Sequence, residues 1–488
     1  MVITTQPTQG FAGGSSGGAR PQAQVNSWAK ALAHPPTEFG PVSLRVLTGA
    51  IPAGLRGSLY RNGPARLERG AERVGHWFDG DGAILGVHFT DAGVTGVYRY
   101  VQTEGYQAEE KVGKLLFRGY GMTPPGPIWQ RLGKAAKNTA NTSVLALPDK
   151  LLALWEGGKP HALDRKTLDT FGLDNLEGLA AGQPYSAHPK RDPKTGEIFN
   201  FGVSHGKKGV LHLYRSDRTG RIQQQASVEL DGLPMIHDFV LAGQYLVFFI
   251  SPVRLNPLPF LARLKSYSDS LAWQPEQGTQ ILVIDRHTLK VVSRGEAEPW
   301  YQWHFGNGST DTSGSVVMDF ARYEDFQTNQ YLKEVATGQT HTPAKATLWQ
   351  VRLDPQSGKV TQLHQVLDRG CEFPTVAPSE VGQAWRFTYL SMYRSGSDIR
   401  QEYFGAIARF DHQTGTFTET DLGENRYPME PLYAPDAQNP QQGWILTVVF
   451  DGNKDSSEVW ILDAAHLDAG PICQMELPSV VPFGFHGT

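Results

Sequence analysis

The sequence predicts an all-β fold, a seven-bladed β-propeller, and three observations carry that expectation. Short apolar stretches punctuated by tight turns run from about residue 40 to the C-terminus. A turn of the form Asp, two residues, then Ser or Thr recurs at Asp164–Thr167, Asp192–Thr195, Asp285–Thr288, Asp354–Ser357 and Asp411–Thr414. In each, Asp and hydroxyl side chains can bond the nearby backbone. Four histidines in apolar surroundings, His188, His237, His304 and His486, are separated by long and uneven distances. Only a closed, ring-like fold brings such residues together, and a propeller does so along its axis.

Taken in order, residues 1–24 are Gly, Ser, Gln, Pro and Thr with little to bury, which predicts a disordered tail ahead of a single propeller domain over 25–488. A short helical pattern over Trp28–Leu32 ends at Pro35 and Pro36. LRGSLYRNGPARL and GHWFDGDGAILGVHF then read as short strands broken by Asn-Gly and Asp-Gly turns. The 488 residues, 40% hydrophobic with 53 glycines and 32 prolines, can bury a large core, and all-β architectures of this size often run as one unit. Divided by seven, the chain gives blades of ordinary or generous length.

Two stretches break the strand rhythm and are expected to form cap segments near 115–140 and 252–273. Pro127–Asn138 has a helical composition, and Pro257–Ser268 reads as a second helical or irregular insert. Both set apolar residues (Ile128, Trp129 and Leu132; Leu258, Phe260 and Leu261) beside Arg or Lys. Such segments either pack down onto the sheets or form an apolar lip in peripheral contact with a membrane surface.

The bulk numbers exclude some partners. A net charge of −4, from 45 basic and 49 acidic residues without blocks of like charge, gives no reason to expect nucleic acid. Cys371 and Cys473 form no CxxC pair, which suits a reducing compartment. With no signal-like N-terminus and no apolar run of 18 or more residues, the expectation is a cytoplasmic, monomeric protein, at most peripheral to a membrane.

The histidines suggest a metal. Four neutral imidazoles without a thiolate favour Zn, Cu, Fe or Ni over Mg or Ca. Structural zinc is usually held by ligands clustered in sequence, which these are not. Ferrous iron accepts six ligands and would keep two positions open for dioxygen and water. Glu156, Glu372 and Glu430 lie in stretches where a carboxylate is costly unless paired. They suit partners for the outward ring nitrogens of ligand histidines. Glu430 also suits a solvent-facing loop; Glu156, after the apolar run 152–155, suits one least.

Read together and in order, LYRNGP, FDGDG, KNTANTS, LALWEGG, SAHP, IHDF, HFGN, CEFP, EP and FHG resemble the carotenoid cleavage oxygenases, which include bacterial apocarotenoid oxygenases and lignostilbene dioxygenases. The resemblance runs from about residue 40 to the C-terminus. It implies a seven-bladed propeller with a helical cap, one Fe(II) per chain on the axis, and cleavage of a conjugated C=C bond by molecular oxygen to two carbonyl products, retinal-type aldehydes among them. By motif position, His188, His237, His304 and His486 look like the iron ligands. Glu156, Glu372 and Glu430 are expected beside His237, His304 and His486 in that order. Thr142 matches a position whose methyl crowds an open coordination site.

Phe78, Trp155, Met235 and Trp303 neighbour the motifs and are candidates for a substrate tunnel wall. Trp303 and Phe305 depart from the more familiar wording of the family and bear on the substrate. A lipophilic apocarotenoid is the expected substrate. The alternative within the family is a stilbenoid, which needs polar anchors for a phenol, with Tyr100 and Lys134 or Lys137 as candidates. An iron-free binding scaffold is a third reading, disfavoured because a scaffold needs neither the four histidines nor the three glutamates. Isomerohydrolase activity, known in the animal branch of the family, is a fourth; the apolar lips are its only support here.

Overall fold

Strand after strand in this chain is short, β-branched and bounded by turns, and the computed structural model, which describes residues 26–123, 126–127 and 136–488, is accordingly an all-β, propeller-like fold. Three four-stranded antiparallel sheets come first. Gly57–Arg66, Asp81–Thr90, Gly93–Tyr100 and Phe39–Ser43 form one, and Ser143–Ala146, Leu151–Leu154, His161–Leu163 and Thr170–Leu173 the next. Lys190–Arg191, Ile198–His205, Gly209–Ser216 and Ile222–Leu230 form the third.

An eight-stranded sheet follows. It consists of two four-stranded meanders, Val240–Ala242 to Val291–Ala297 and Tyr301–Thr310 to Lys359–Leu367, joined by a single parallel pairing of Ala242 with Gly308. Cys371–Thr375, Phe387–Met392, Ala406–Asp411 and Thr416–Asp421 form the next sheet. In the last, Arg426–Pro428 and Leu432–Pro435 share the edge of Gly443–Asp451, followed by Ser456–Asp463 and Pro471–Glu476. The N-terminal strand Arg45–Gly49 completes that sheet, pairing Arg45 with Glu476 and so tying the two ends of the chain together.

Burial gives each meander a direction. Middle strands such as Tyr245–Ile250 are buried along their whole length, whereas last strands such as Ile222–Leu230 alternate exposed and covered residues. The first strand therefore faces inward and the fourth forms the rim. Neighbouring sheets interlock through aromatic side chains: Phe201 of the third sheet meets Phe239 and Phe248 of the next at ring distances of 5.5 and 5.4 Å. Each such buried ring stabilises the fold by about 1.5–3 kcal/mol. Four of the five Asp-containing turns join third to fourth strands; the exception, at Asp192, joins a first to a second. In that at Asp285, Oδ1 accepts from the Thr288 amide at 2.8 Å.

Several sequence expectations are corrected. Asn62-Gly63 is not a turn but the middle of the strand Gly57–Arg66, and Asp81-Gly82 opens the strand Asp81–Thr90. Packing decides both. The buried Asn62 amide donates to the carbonyls of Ala140 and Ser143 at 2.9 Å. A Cβ at Gly63 would lie 2.4 Å from Gly484 Cα, and one at Gly82 2.2 Å from the Ala140 oxygen, so backbone approach rather than turn geometry demands glycine. Trp28–Leu32 lies in a 3₁₀ helix, Ser27–Leu32, anchored by the fully buried Trp28.

The insert after residue 252 is α-helical over Pro257–Leu261 and 3₁₀-helical over Ser268–Ser270, framed by the paired strands Val253–Leu255 and Leu271–Trp273. Its Leu258, Leu261 and Leu264 are strongly exposed rather than packed on a sheet. The expected tail, and Ile128, Trp129, Leu132 and Lys134 of the other insert, lie outside the described residues. Among the described residues, no helix is long and apolar enough to cross a membrane.

Candidate metal centre

Three of the four histidines gather because each sits at the start of, or within, the first strand of a sheet, and the fourth arrives on the C-terminal arm. His188 precedes Lys190–Arg191, His237 precedes Val240–Ala242, and His304 lies within Tyr301–Thr310, all first strands of their meanders. His486 is brought in by the C-terminal arm, which pairs with Gly57–Arg66: the Asn62 backbone N–H donates to the His486 carbonyl at 2.9 Å, and Tyr60 and Thr488 exchange backbone bonds of 2.8 and 3.0 Å. The terminus is therefore fixed by backbone pairing. One ligand nitrogen from each histidine lies within 4.8 Å of all the others, and all four residues sit in the interior. His188 Nε2 and His237 Nε2 approach to 3.0 Å.

Three of the rings are held from behind. His237 Nδ1 lies 3.0 Å from Glu156 Oε1, His304 Nδ1 donates to Glu372 Oε2 at 2.6 Å, and His486 Nδ1 donates to Glu430 Oε1 at 2.8 Å. With Nδ1 carrying the proton, Nε2 is a bare acceptor pointed at the centre. Burial reverses the sequence-based ranking of the glutamates: the Glu156 side chain is 31% exposed, against 6% for Glu372 and 8% for Glu430. The Glu430 carboxylate also accepts from the buried Arg61 guanidinium at 2.7 Å and the Gly487 amide at 2.9 Å.

Sequence reasoning missed Arg61, and it missed Asp238 too. That carboxylate pairs with Lys190 at 2.8 Å, accepts the Phe305 amide at 3.0 Å, and lies 3.9 Å from His188 Nδ1, linking three of the histidine-bearing segments. The signal was present in the IHDF motif, but nothing in a sequence distinguishes a bridging aspartate from a turn residue.

The electrostatics suit a cation. Burial and the three neighbouring imidazoles push His188 well below the usual histidine range, and burial pushes His486 to about 4 despite Glu430. His304 is raised: burial opposes its charge, but Glu372 outweighs it. Converging acceptor nitrogens, two of them 3.0 Å apart, are unfavourable neighbours without a positive charge between them. The donor set, four imidazoles without a thiolate, fits a transition metal such as iron.

Beside the histidines lies a cavity of about 620 Å³ with mainly aromatic and aliphatic walls. His237, His304 and His486 line one part of it, together with Thr142, Phe78, Trp155, Met235 and Trp303. The Thr142 hydroxyl donates to Asn141 Oδ1 at 3.1 Å, and the Trp303 indole N–H donates to Thr328 at 3.0 Å. Unforeseen wall residues include Tyr120, Phe373, Tyr403, Phe404 and Phe485. Phe373 stacks on His304 with ring centres 5.2 Å apart while holding a left-handed φ of 55°, a strained conformation for a bulky residue.

Tyr100 and Lys137 do not line the cavity. The Tyr100 hydroxyl donates to the Pro36 carbonyl at 3.0 Å, and Lys137 is buried between Asp81 and Glu109 at 2.5 and 2.6 Å.

Comparison with known proteins agrees with this arrangement. The family model described as retinal pigment epithelial membrane protein matches residues 32–488. The chain belongs to this family. It is 32% identical to the apocarotenoid-15,15'-oxygenase of Synechocystis over 90% of this chain and 91% of that protein. It is 27% identical to resveratrol cleavage oxygenase 1 of Aspergillus fumigatus over 92% of each. Cobalt-substituted Synechocystis apocarotenoid oxygenase superposes with a TM-score of 0.85 at 30% identity, covering 95% of this chain and 98% of that one. Relatives in this family thus include an apocarotenoid oxygenase and a resveratrol cleavage oxygenase, and the first of these has been obtained with cobalt substituted into it.

Proposed function

We propose that this protein is a non-haem Fe(II)-dependent dioxygenase that cleaves a conjugated C=C bond of an apocarotenoid to two carbonyl products. The observation that carries the reading is the convergence of four imidazole acceptors, three of them braced by carboxylates, beside a large apolar cavity that three of them line. In this reading the eight-stranded sheet counts as two blades, giving seven around the axis, and the segments near 115–140 and 252–273 cap the single domain over 25–488. The protein acts as a cytoplasmic monomer, and exposed Leu258, Leu261 and Leu264 beside Arg263 and Lys265 rest on a membrane surface from which a lipophilic substrate enters.

His188, His237, His304 and His486 would hold one iron per chain. Bound there, ferrous iron supplies the activation of dioxygen that no side chain in the cavity can provide. The chain's own residues do the rest. Glu156, Glu372 and Glu430 keep the Nδ1 protons of His237, His304 and His486 in place, fixing tautomer and ring orientation. Phe78, Trp155, Met235 and Trp303 hold the polyene beside the centre and exclude water, and that placement selects the bond that is cut. Thr142, its hydroxyl turned to Asn141, narrows the approach to the centre. No residue need act as general acid or activated nucleophile.

A stilbenoid substrate is the second reading, favoured by the similarity to the resveratrol-cleaving relative. Its foreseen phenol anchors are placed otherwise: Tyr100 and Lys137 stand outside the cavity, and Lys134 lies outside the described residues. The test is protein loaded anaerobically with Fe(II), mixed with O₂ and, in parallel, an apocarotenal or a hydroxystilbene. Loss of conjugated absorbance and product masses are followed. Cleavage of the apocarotenal is expected; cleavage of the stilbene alone moves the enzyme to the second reading, and iron-dependent loss of neither overturns both.

A further inference from the structure

Arg118 lines the same cavity as the histidines but belongs to none of the arrangements described above. Its Nε is shielded from solvent with no hydrogen-bond partner, an arrangement that costs free energy unless something accepts that proton. Among the described residues no carboxylate pairs with its guanidinium, which lies over the Phe260 ring at 4.9 Å. The surrounding sequence offers no acid either: residues 111–142 and 252–268, the two inserts that meet here, contain no aspartate or glutamate. The other charge acting on Arg118 is the cation of Arg263. An unneutralised guanidinium at an apolar cavity is unusual, since buried or half-buried arginines normally meet an anion.

From Arg118 a continuous run of rings leads to the metal centre. Phe260 meets Tyr267 at 5.8 Å, Tyr267 meets Tyr120 at 5.5 Å, Tyr120 meets Phe78 at 5.1 Å, Phe78 meets Trp303 at 5.5 Å, and Trp303 meets His237 at 4.7 Å. A long conjugated chain lying along these rings has one region beside the histidines and its far end beside the guanidinium.

We infer that Arg118 anchors a terminal carboxylate of the substrate, so that the preferred substrate class is an elongated polyene acid rather than a neutral carotenoid. The planar guanidinium fork matches a carboxylate through two parallel N–H donors, and fixing that end sets which double bond rests at the metal centre. This rests on the oxygenase reading above for its chemistry, but not for its binding.

The test separates the two. Binding of an apocarotenoic acid and of the apocarotenal of the same chain length to the full chain, metal-free and iron-loaded, is followed by quenching of tryptophan fluorescence. Wild type is expected to bind the acid about tenfold or more tightly than the aldehyde. Arg118→Gln should weaken the acid to the level of the aldehyde and leave the aldehyde unchanged, with Arg118→Lys in between because it keeps charge but loses the fork. Equal affinities for acid and aldehyde in wild type, or an equal loss for both in Arg118→Gln, would overturn the inference. An acid preference that disappears in Arg118→Gln while neither compound is cleaved with Fe(II) and O₂ would support the anchor and sink the oxygenase reading instead.

Discussion

Replacing Arg61 by methionine should damage the fold and the metal centre together. Arg61 is 2% exposed, and its guanidinium donates to Glu430 Oε2 at 2.7 Å, to the Glu430 carbonyl at 3.2 Å and to the Phe485 carbonyl at 3.3 Å. Glu430 in turn holds His486. Methionine fills much of the same volume but strands a buried carboxylate, a change that costs about 3–5 kcal/mol when one member of such a pair is removed. The double variant Arg61→Met/Glu430→Gln removes the stranded charge and should recover at least about 1 kcal/mol of that loss, because the two side chains are directly coupled.

The assay is urea denaturation of metal-free protein, which keeps ligand binding out of the stability measured. Metal affinity is read in parallel by competition with a chelator. Glu430→Gln alone should weaken the metal by about tenfold to a hundredfold, the usual effect of losing the partner of a ligand histidine. If Arg61→Met unfolds within about 1 kcal/mol of wild type, or if the double variant shows no recovery, the account of the C-terminal arm is wrong.

Three further outcomes follow from other parts of the molecule. Glu372→Gln should lower metal affinity by about tenfold to a hundredfold with little change in the denaturation midpoint; unchanged affinity in chelator competition would remove Glu372 from the site. Burial pushes the Asp79 carboxyl from 3.8 to about 7, against the amides that hydrogen-bond it and the charge of Lys137. A raised carboxyl pKa stabilises the fold at low pH and withdraws that stability as pH rises from about 4 through 7, on the order of 4 kcal/mol in total. Asp79→Asn should flatten this slope in denaturation measured across that window, and an identical slope in the variant would refute the assignment. Changing Leu258, Leu261 and Leu264 together to serine should reduce co-sedimentation with anionic vesicles by about tenfold or more while leaving the fold intact; undiminished binding would place any membrane contact elsewhere.

Much of this arrangement was legible in the residues. Histidine and glutamate stand out where the neighbours are Leu, Ile, Phe and Trp, since an ionisable group there needs a partner, and the turns at Asp164, Asp285, Asp354 and Asp411 announced the outer hairpins. What the chain hid is tertiary. Asn62-Gly63 has the composition of a turn, yet the buried amide of Asn62 and the approach of Gly484 hold it in a strand. Lys137 has the composition of an exposed helix face, yet it is drawn into the interior by Asp81 and Glu109 from distant segments. Glu156 follows a buried strand but lies on the cavity wall, which leaves its side chain partly uncovered, whereas Glu430 is covered by Arg61 and the returning C-terminus. Local pattern reports what must be paired; it does not report with what.

Whether the four histidines together hold one iron can be measured directly. The most direct test is X-ray absorption on protein loaded anaerobically with Fe(II), combined with metal counting in wild type and in His237→Ala. One iron per chain with four imidazole nitrogens in its coordination sphere is expected, with loss of that metal in His237→Ala and no loss of the fold. Iron bound mainly by oxygen or sulfur, or retained undiminished in His237→Ala, would contradict a four-histidine iron site.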